Sequence, residues 1–380
     1  MEDRPGARAC LRVLHALNEL RPSGAEVMLR GAAAQWKEHG VEADVIAVAP
    51  AVGAFATDLR AAGYGVSHEA MSPLWRLVIR FRRRVRAGGY DVVHLHDEPV
   101  NFWLALAALS TGATVASTVH NVFPLRGKAR AKRIVQRAVL RALGVVHIAV
   151  SADVAANERR RFGNPARVVE NWYDPVFTPP TPEERARARE ALGLGDDDLV
   201  VVSVGNCSSV KRHEAVLEAL AHPAAPPRLV YLHVGQEDAE QSERRLADRL
   251  GVADRVRFLG VRHPLEALHA ADAYAMPSRH EGMSIAALEA LATGLPAVFA
   301  DVPGLRGMAD AGPAVVLADV TPEPLARALT EAAALPPAER GPRAAAVRAG
   351  FGMARGVAEH VGIYRRLVSP RKSTGPHRSS

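Results

Sequence analysis

The run Ala273-Tyr274-Ala275-Met276-Pro277-Ser278-Arg279-His280-Glu281-Gly282-Met283-Ser284-Ile285-Ala286-Ala287-Leu288-Glu289-Ala290-Leu291-Ala292-Thr293-Gly294-Leu295-Pro296 sets a short apolar strand, a loop and an Ala/Leu-rich helix in succession. The pattern predicts a buried strand over Ala273 to Met276 and a helix over Ala286 to Ala292. Glu281 then lies in the strand-to-helix loop and Glu289 within the first turns of the helix. At helical rise their spacing spans at most about 12 Å, the length of a sugar joined to a ribose through a diphosphate. Between the two acids fall the N–H groups of Met283, Ser284 and Ile285, where a helix start attracts phosphate. The geometry suits a nucleotide sugar.

Outward from this run, strand-like and helical stretches alternate, the pattern of parallel α/β layers. Strands are predicted at Leu11 to Leu17, Val41 to Ala49, Val66 to Glu69, Val92 to Leu95, Thr114 to Val119, Val145 to Val150 and Arg167 to Val169. Helices at Glu26 to His39, Val100 to Ser110 and Ala129 to Leu143 lie between them. The alternation restarts with Leu199 to Val204, Arg228 to Val234, Val256 to Leu259, Ala273 to Met276, Ala297 to Ala300 and Ala314 to Leu317. Two similar halves are implied. The prolines of Val176-Phe177-Thr178-Pro179-Pro180-Thr181-Pro182 remove backbone donors, so a hinge is expected near 174–182, ahead of a charged helix from Glu183 to Leu192. The domains are accordingly set at 1–178 and 179–350, with a terminal helix over 351–368 and a polar, basic, disordered tail over 369–380.

Bulk properties exclude several classes. A chain of 380 residues with 48% hydrophobic content is long enough for two cores. Met1 to Ala9 is charged and has no apolar h-region, and no apolar run approaches the roughly 20 residues needed to cross a bilayer. A cytoplasmic protein is expected. Cys10 and Cys207 are the two cysteines, too few for a disulfide framework or a zinc site. Net charge is +7, but of 48 basic residues five are lysine and the arginines are spread through an alanine-rich chain. That reads as compositional bias as much as a binding surface, and no nucleic-acid partner is expected.

Glu-Gly-x-x-x-x-x-x-Glu after Pro-Ser, followed by Ala-x-Gly-x-Pro, resembles the signature of the family 4 retaining glycosyltransferases. Weaker matches fall in order over nearly the whole chain. The resemblance implies the GT-B fold, an α/β architecture of two Rossmann-like parallel-sheet domains facing a central cleft, with the terminal helix packing back on the first. It implies a glycosyltransferase with a nucleotide-sugar donor, a UDP-sugar being the expectation, and no cofactor or metal. Ligands in open parallel sheets bind beyond the carboxyl ends of strands, which sorts the candidates. Gly205-Asn206-Cys207-Ser208-Ser209-Val210-Lys211-Arg212 is similar to the family's Gly-Arg-x-x-x-x-Lys loop for the departing diphosphate. Lys211 falls on its lysine; Asn206 replaces its arginine, so either Arg212 substitutes or the helix start carries more charge.

By the same resemblance Glu281 meets the donor sugar and Glu289 the ribose hydroxyls, for which acceptor-only carboxylates are suited. Gly282, Met283, Ser284 and Ile285 would hold phosphate, and Val261 and Arg262 would flank the base. Gly235-Gln236-Glu237 is a second expected wall. Pro22-Ser23-Gly24-Ala25-Glu26 resembles the family's Gly-Gly-x-Glu loop, in which Gly24 permits close backbone approach. His120, at the end of strand Thr114 to Val119, is placed near the reacting sugar, giving Glu281, His120 and Lys211 as the catalytic set. Asp196-Asp197-Asp198 precedes its strand and reads as a solvated loop rather than a metal site.

For the acceptor the sequence offers two hints. Glu19, Glu26, Asp97 and Glu98 at strand ends make an acidic rim, with His96 beside it, and Glu26, His96, Asp97 and Glu98 are the expected acceptor residues for a small polar, cationic acceptor such as an aminocyclitol of aminoglycoside assembly. Arg76, Arg80, Arg82, Arg83, Arg84 and Arg86, interleaved with Trp75, Leu77, Val78, Ile79 and Phe81, form a basic amphipathic helix. It either packs on its sheet, the reading preferred here, or meets an anionic membrane carrying a lipid-linked or cell-envelope acceptor. A GT-B relative that binds a nucleotide sugar without transfer is the third alternative.

Overall fold

The computed structural model describes residues 10–70, 73–96, 100–122, 125–309, 314–317 and 319–369. Its strands are β1 Leu11–Leu17, β2 Val41–Ala47, β3 Gly65–His68, β4 Val92–Leu95, β5 Thr114–Val119, β6 Val146–Ala149, β7 Arg167–Val168, β8 Leu199–Val204, β9 Leu229–Val234, β10 Val256–Phe258, β11 Ala273–Met276, β12 Ala297–Ala300 and β13 Ala314–Leu317. They form a seven-stranded sheet of order β3-β2-β1-β4-β5-β6-β7 and a six-stranded sheet of order β10-β9-β8-β11-β12-β13. Parallel pairing holds β1 to β2 and β4, and β8 to β9 and β11. Central strands buried on both faces need continuous apolar runs. Leu199-Val-Val-Val-Ser-Val204 and Leu229-Val-Tyr-Leu-His-Val234 supply them, and the latter is buried along its whole length.

Both sheets run outward in two directions from a central pair, β1 and β4 in one, β8 and β11 in the other. This is the doubly wound order of dinucleotide folds, in which the crevice beside the strand-order reversal receives ligand. In the six-stranded sheet the loops leaving that point are 205–212 after β8 and 277–284 after β11.

The chain divides into two compact units: residues 1–119, 128–148 and 357–380, and residues 120–127 and 149–356. Residues 149–178 therefore belong with the second unit, although the proline run places the sequence-derived division at 178. Hydrogen bonds explain the difference, because Ser151, Asp153 and Asn171 all bond to backbone of the 282–304 region.

The first unit's core stacks Leu77, Phe81 and Val85 of helix Leu74–Gly88 with Leu14, Ile46, Val93 and Leu104. Spacing of four residues places these three on one helix face, and each such burial contributes about 1.5–3 kcal/mol. Helix Met353–Val368 enters this unit from Val357 onward, where the Tyr364 hydroxyl meets His94 Nδ1 at 2.6 Å and Arg365 donates to the His39 carbonyl at 2.9 Å. The second unit's core joins Tyr231, Val201, Leu217, Leu220, Val298 and Leu329. Among the described residues no helix is long and apolar enough to cross a membrane.

Candidate functional site

In the second unit, Lys211 Nζ lies 2.7 Å from Glu281 Oε1, joining the loop after β8 to the loop after β11. Their side chains are 27% and 10% exposed, so the pair is partly shielded from water. Arg279 stitches the same loops. Its backbone N–H donates to the Val210 carbonyl at 2.8 Å and its guanidinium to the Ser209 carbonyl at 3.0 Å. Ser284 caps helix Ile285–Ala292 by accepting the Ala287 N–H at 3.3 Å. Glu289 is 5% exposed in that helix. Buried Tyr274 of β11 has its hydroxyl pushed well above the usual phenol range by burial and then by the charges of Glu281 and Glu289. Both carboxylates thus act on the strand that launches the loop.

The loop containing Glu281 is held from the far side. Ser151 Oγ donates to the Gly282 carbonyl at 2.9 Å, and Asn171 Nδ2 donates to the Met283 carbonyl at 2.9 Å. A Cβ on Gly282 would overlap the His120 carbonyl, which brings His120 against this loop. Gly304, at φ +87°, packs its Cα on the Glu281 and Gly282 carbonyls, and its N–H donates to Asp153 Oδ2 at 3.0 Å.

Other expected donor residues are engaged elsewhere. Asn206 Oδ1 accepts the Gln236 N–H at 2.9 Å, so the residue at the arginine position closes the β8 and β9 loops on each other. Arg212, at φ 58°, directs its guanidinium to the Val320 carbonyl at 3.3 Å. Glu237 pairs with Arg244, which also lies 4.6 Å over the Phe258 ring. Val261 is exposed and Arg262 pairs with Glu266 at 3.6 Å. Asp198 accepts the Gly195 N–H at 2.7 Å in a turn.

In the first unit, Gly24 begins helix Gly24–Glu38 after Ser23. Glu26 is 5% exposed, accepts a short hydrogen bond from Ser23 Oγ, and is raised above the ordinary carboxyl range by burial. The Ser23–Glu26 contact joins side chain to side chain at the start of the helix, without capping its backbone, a local role the strand-end reading passed over. Asp97 and Glu98 lie outside the described residues. His96 Nε2 lies 3.1 Å from His15 Nδ1. His15, His94 and His96 bring one nitrogen each within 4.8 Å of one another. Both His94 nitrogens bond to hydroxyls, of Tyr364 and Thr118, at 2.6 Å. The cluster is better described as hydrogen-bonded packing.

Residues 22–177 match the family described as Glycosyltransferase Family 4, and residues 184–347 match Glycosyl transferases group 1. A D-inositol 3-phosphate glycosyltransferase of Streptomyces scabiei is 30% identical over 73% of this chain and 68% of its own. The one from Actinosynnema mirum is 32% identical over 60% of each, so the match spans 60% of that relative's length. Among solved structures, Anabaena HepE in complex with UDP superposes with a TM-score of 0.81 at 20% identity, covering 94% of this chain and all of the other. A glycosyltransferase from Rickettsia africae gives 0.76 at 17% identity, covering 95% and 99%. The chain belongs to the family 4 glycosyltransferases and has their GT-B fold.

Proposed function

We propose that the protein is a retaining glycosyltransferase moving a hexosyl or aminohexosyl group from a UDP-sugar to a hydroxyl of a cyclitol acceptor. The observation that carries this reading is the Lys211–Glu281 pair at 2.7 Å beside the strand-order reversal, with Glu289 buried on the following helix. An incoming diphosphate competes for the Lys211 ammonium and frees Glu281 oxygens to accept from sugar hydroxyls. Glu289 accepts from the ribose. Asn206 and Arg212 are committed to backbone partners, so leaving-group charge is assigned to Lys211 and to the amides at the start of helix Ile285–Ala292. His120 borders the reacting sugar. In the retaining step, the acceptor oxygen bonds to the anomeric carbon on the face the diphosphate leaves, and the departing phosphate oxygen takes the acceptor proton. Positioning and charge stabilisation are then the protein's main contribution.

The UDP bound to Anabaena HepE supports the donor class. The D-inositol 3-phosphate of the relatives' names supports a cyclitol ring as acceptor. The aminocyclitol form rested on acids of which Glu26 is turned inward. Incubation of UDP-, GDP- and ADP-sugars with an inositol phosphate, an aminocyclitol and a polyprenyl phosphate, read by mass spectrometry, tests both halves. A glycosylated cyclitol is expected; binding without consumption of any donor would mean a non-transferring relative.

A second reading places the acceptor in a membrane. It is favoured by apolar side chains standing exposed on basic helices of the first unit: Leu74, Trp75 and Ile79 on Leu74–Gly88, and Ile134, Val135 and Val139 on Gly127–Ala142. The preferred packing and the exposed face coexist, since Leu77, Phe81 and Val85 line the core on the side turned away from Trp75 and Ile79. Flotation with phosphatidylglycerol vesicles separates the readings: a soluble-acceptor enzyme stays in the bottom fraction.

A further inference from the structure

We propose that Ser151 and Asn171 are positioning residues for the donor diphosphate, acting through two peptide planes; this rests on the nucleotide-sugar reading above. Neither residue belongs to the signature, and both come from the stretch preceding the proline run. A trans peptide is planar, with its C=O and the following N–H pointing in opposite directions. Ser151 Oγ at 2.9 Å from the Gly282 oxygen fixes the Gly282–Met283 plane, so the Met283 N–H points away from Ser151. Asn171 Nδ2 at 2.9 Å from the Met283 oxygen does the same for the Met283–Ser284 plane and the Ser284 N–H. Those two amides belong to the set between Glu281 and Glu289 to which phosphate is assigned. The carbonyls, which would repel an anion, are turned toward the two donors.

Several features make this a built arrangement rather than an incidental pair of bonds. Ser151 and Asn171 are 9% and 6% exposed, so their bonds meet little competition from water. Ser151 also caps helix Ala152–Phe162 through the Val154 N–H, which fixes its own position. The loop cannot relax elsewhere, because His120 backbone blocks Gly282 on one side and Gly304, tethered by Asp153, lies against the Glu281 and Gly282 carbonyls. Amide dipoles aligned beforehand stabilise charge without reorganising when it arrives.

The test uses the full chain with Ser151→Ala, Ser151→Thr and Asn171→Asp, and compares calorimetric binding of UDP and of uridine, which lacks the phosphates. Ser151→Ala and Asn171→Asp are expected to weaken UDP about tenfold and leave uridine unchanged, the Asp variant because it sets an acceptor against the Met283 carbonyl. Ser151→Thr keeps the hydroxyl and restores UDP binding. Equal losses for UDP and uridine, or no loss for UDP, overturn the proposal. Ser151→Ala removes one hydroxyl and carries the test even if Asn171→Asp fails to fold. If the wild type takes GDP or ADP instead of UDP, the same comparison is made with that nucleotide and its nucleoside; if it binds none, the nucleotide-sugar reading itself has failed.

Discussion

Glu281 and Glu289 are close in sequence, but their surroundings assign them different losses. Glu281 shares a proton-rich partner, Lys211, at 2.7 Å. On the proposed function, replacing it with alanine removes the sugar contact and releases that ammonium for phosphate. Turnover of Glu281→Ala is expected to fall by about 100-fold or more, the scale of losing one transition-state contact, while UDP affinity holds or tightens. Steady-state kinetics and calorimetry check the two halves, and unchanged turnover would remove Glu281 from the chemistry. Glu289 is 5% exposed, and on the proposed function it holds the ribose. Glu289→Ala is expected to weaken UDP about tenfold, the worth of a charged hydrogen bond, with kcat at saturation nearly preserved. Both residues are legible in the sequence because motif and spacing lie in one run. Ser151, Asp153 and Asn171 are not, since a side chain bonding a carbonyl more than a hundred residues away leaves no local trace. Glu26 shows the converse, a readable acid whose near neighbour Ser23 decides its fate.

At the scale of elements, apolar runs identify the strands well. β1, β4, β5, β8, β11, β12 and β13 coincide with their predicted limits, and the others differ by one or two residues at their ends. Runs buried on both faces have abrupt polar edges, which is why their limits are sharp. Helix Ala152–Phe162 is less legible, its large apolar positions being only Val154 and Phe162 beside Asn157, Glu158 and Arg159 to Arg161. Loops carry the constraint that sequence patterns do not. Gly282 is read from the motif, but its reason is the His120 carbonyl, which leaves no space for a Cβ. Both surfaces in that contact are backbone and cannot swing aside. Gly282→Ala is therefore expected to destabilise the second unit by about 3 kcal/mol, the upper range of overpacking, and thermal melting measures it. A melting temperature equal to wild type would show that the loop has slack.

For the whole molecule, buried histidines set the response to acid. His15 and His147 in the first unit and His213 in the second are each lowered to about 3, with burial the main cause. His360 adds to it at His15, Arg137 and Arg141 at His147, and His233 and Lys211 at His213. Above pH 6.5 neither folded nor unfolded chain protonates them. Below it the unfolded chain takes up protons the native sites refuse until about pH 3, so stability falls across that window. The slope is at most about 1.4 kcal/mol per pH unit for each histidine. Melting temperatures are expected to be level from pH 8 to 7 and to drop steadily below pH 6. A level profile to pH 5 would mean these imidazoles reach water in the native state.

The family matches divide the chain between 177 and 184, where the prolines lie, whereas the compact units divide it at 148 and 149. That offset bears on how such enzymes are recombined. An exchange of halves at the proline run, whether by gene fusion or in the laboratory, transplants Lys211 and both glutamates but leaves Ser151, Asp153 and Asn171 with the other parent. The chimera inherits the signature intact and a loop whose carbonyls face the other parent's residues in place of Ser151 and Asn171. On the proposal above, donor recognition is inherited with the whole second unit, residues 120–127 and 149–356, and swaps meant to change only the acceptor are best designed to keep His120 together with everything from Ala149 onward in that unit.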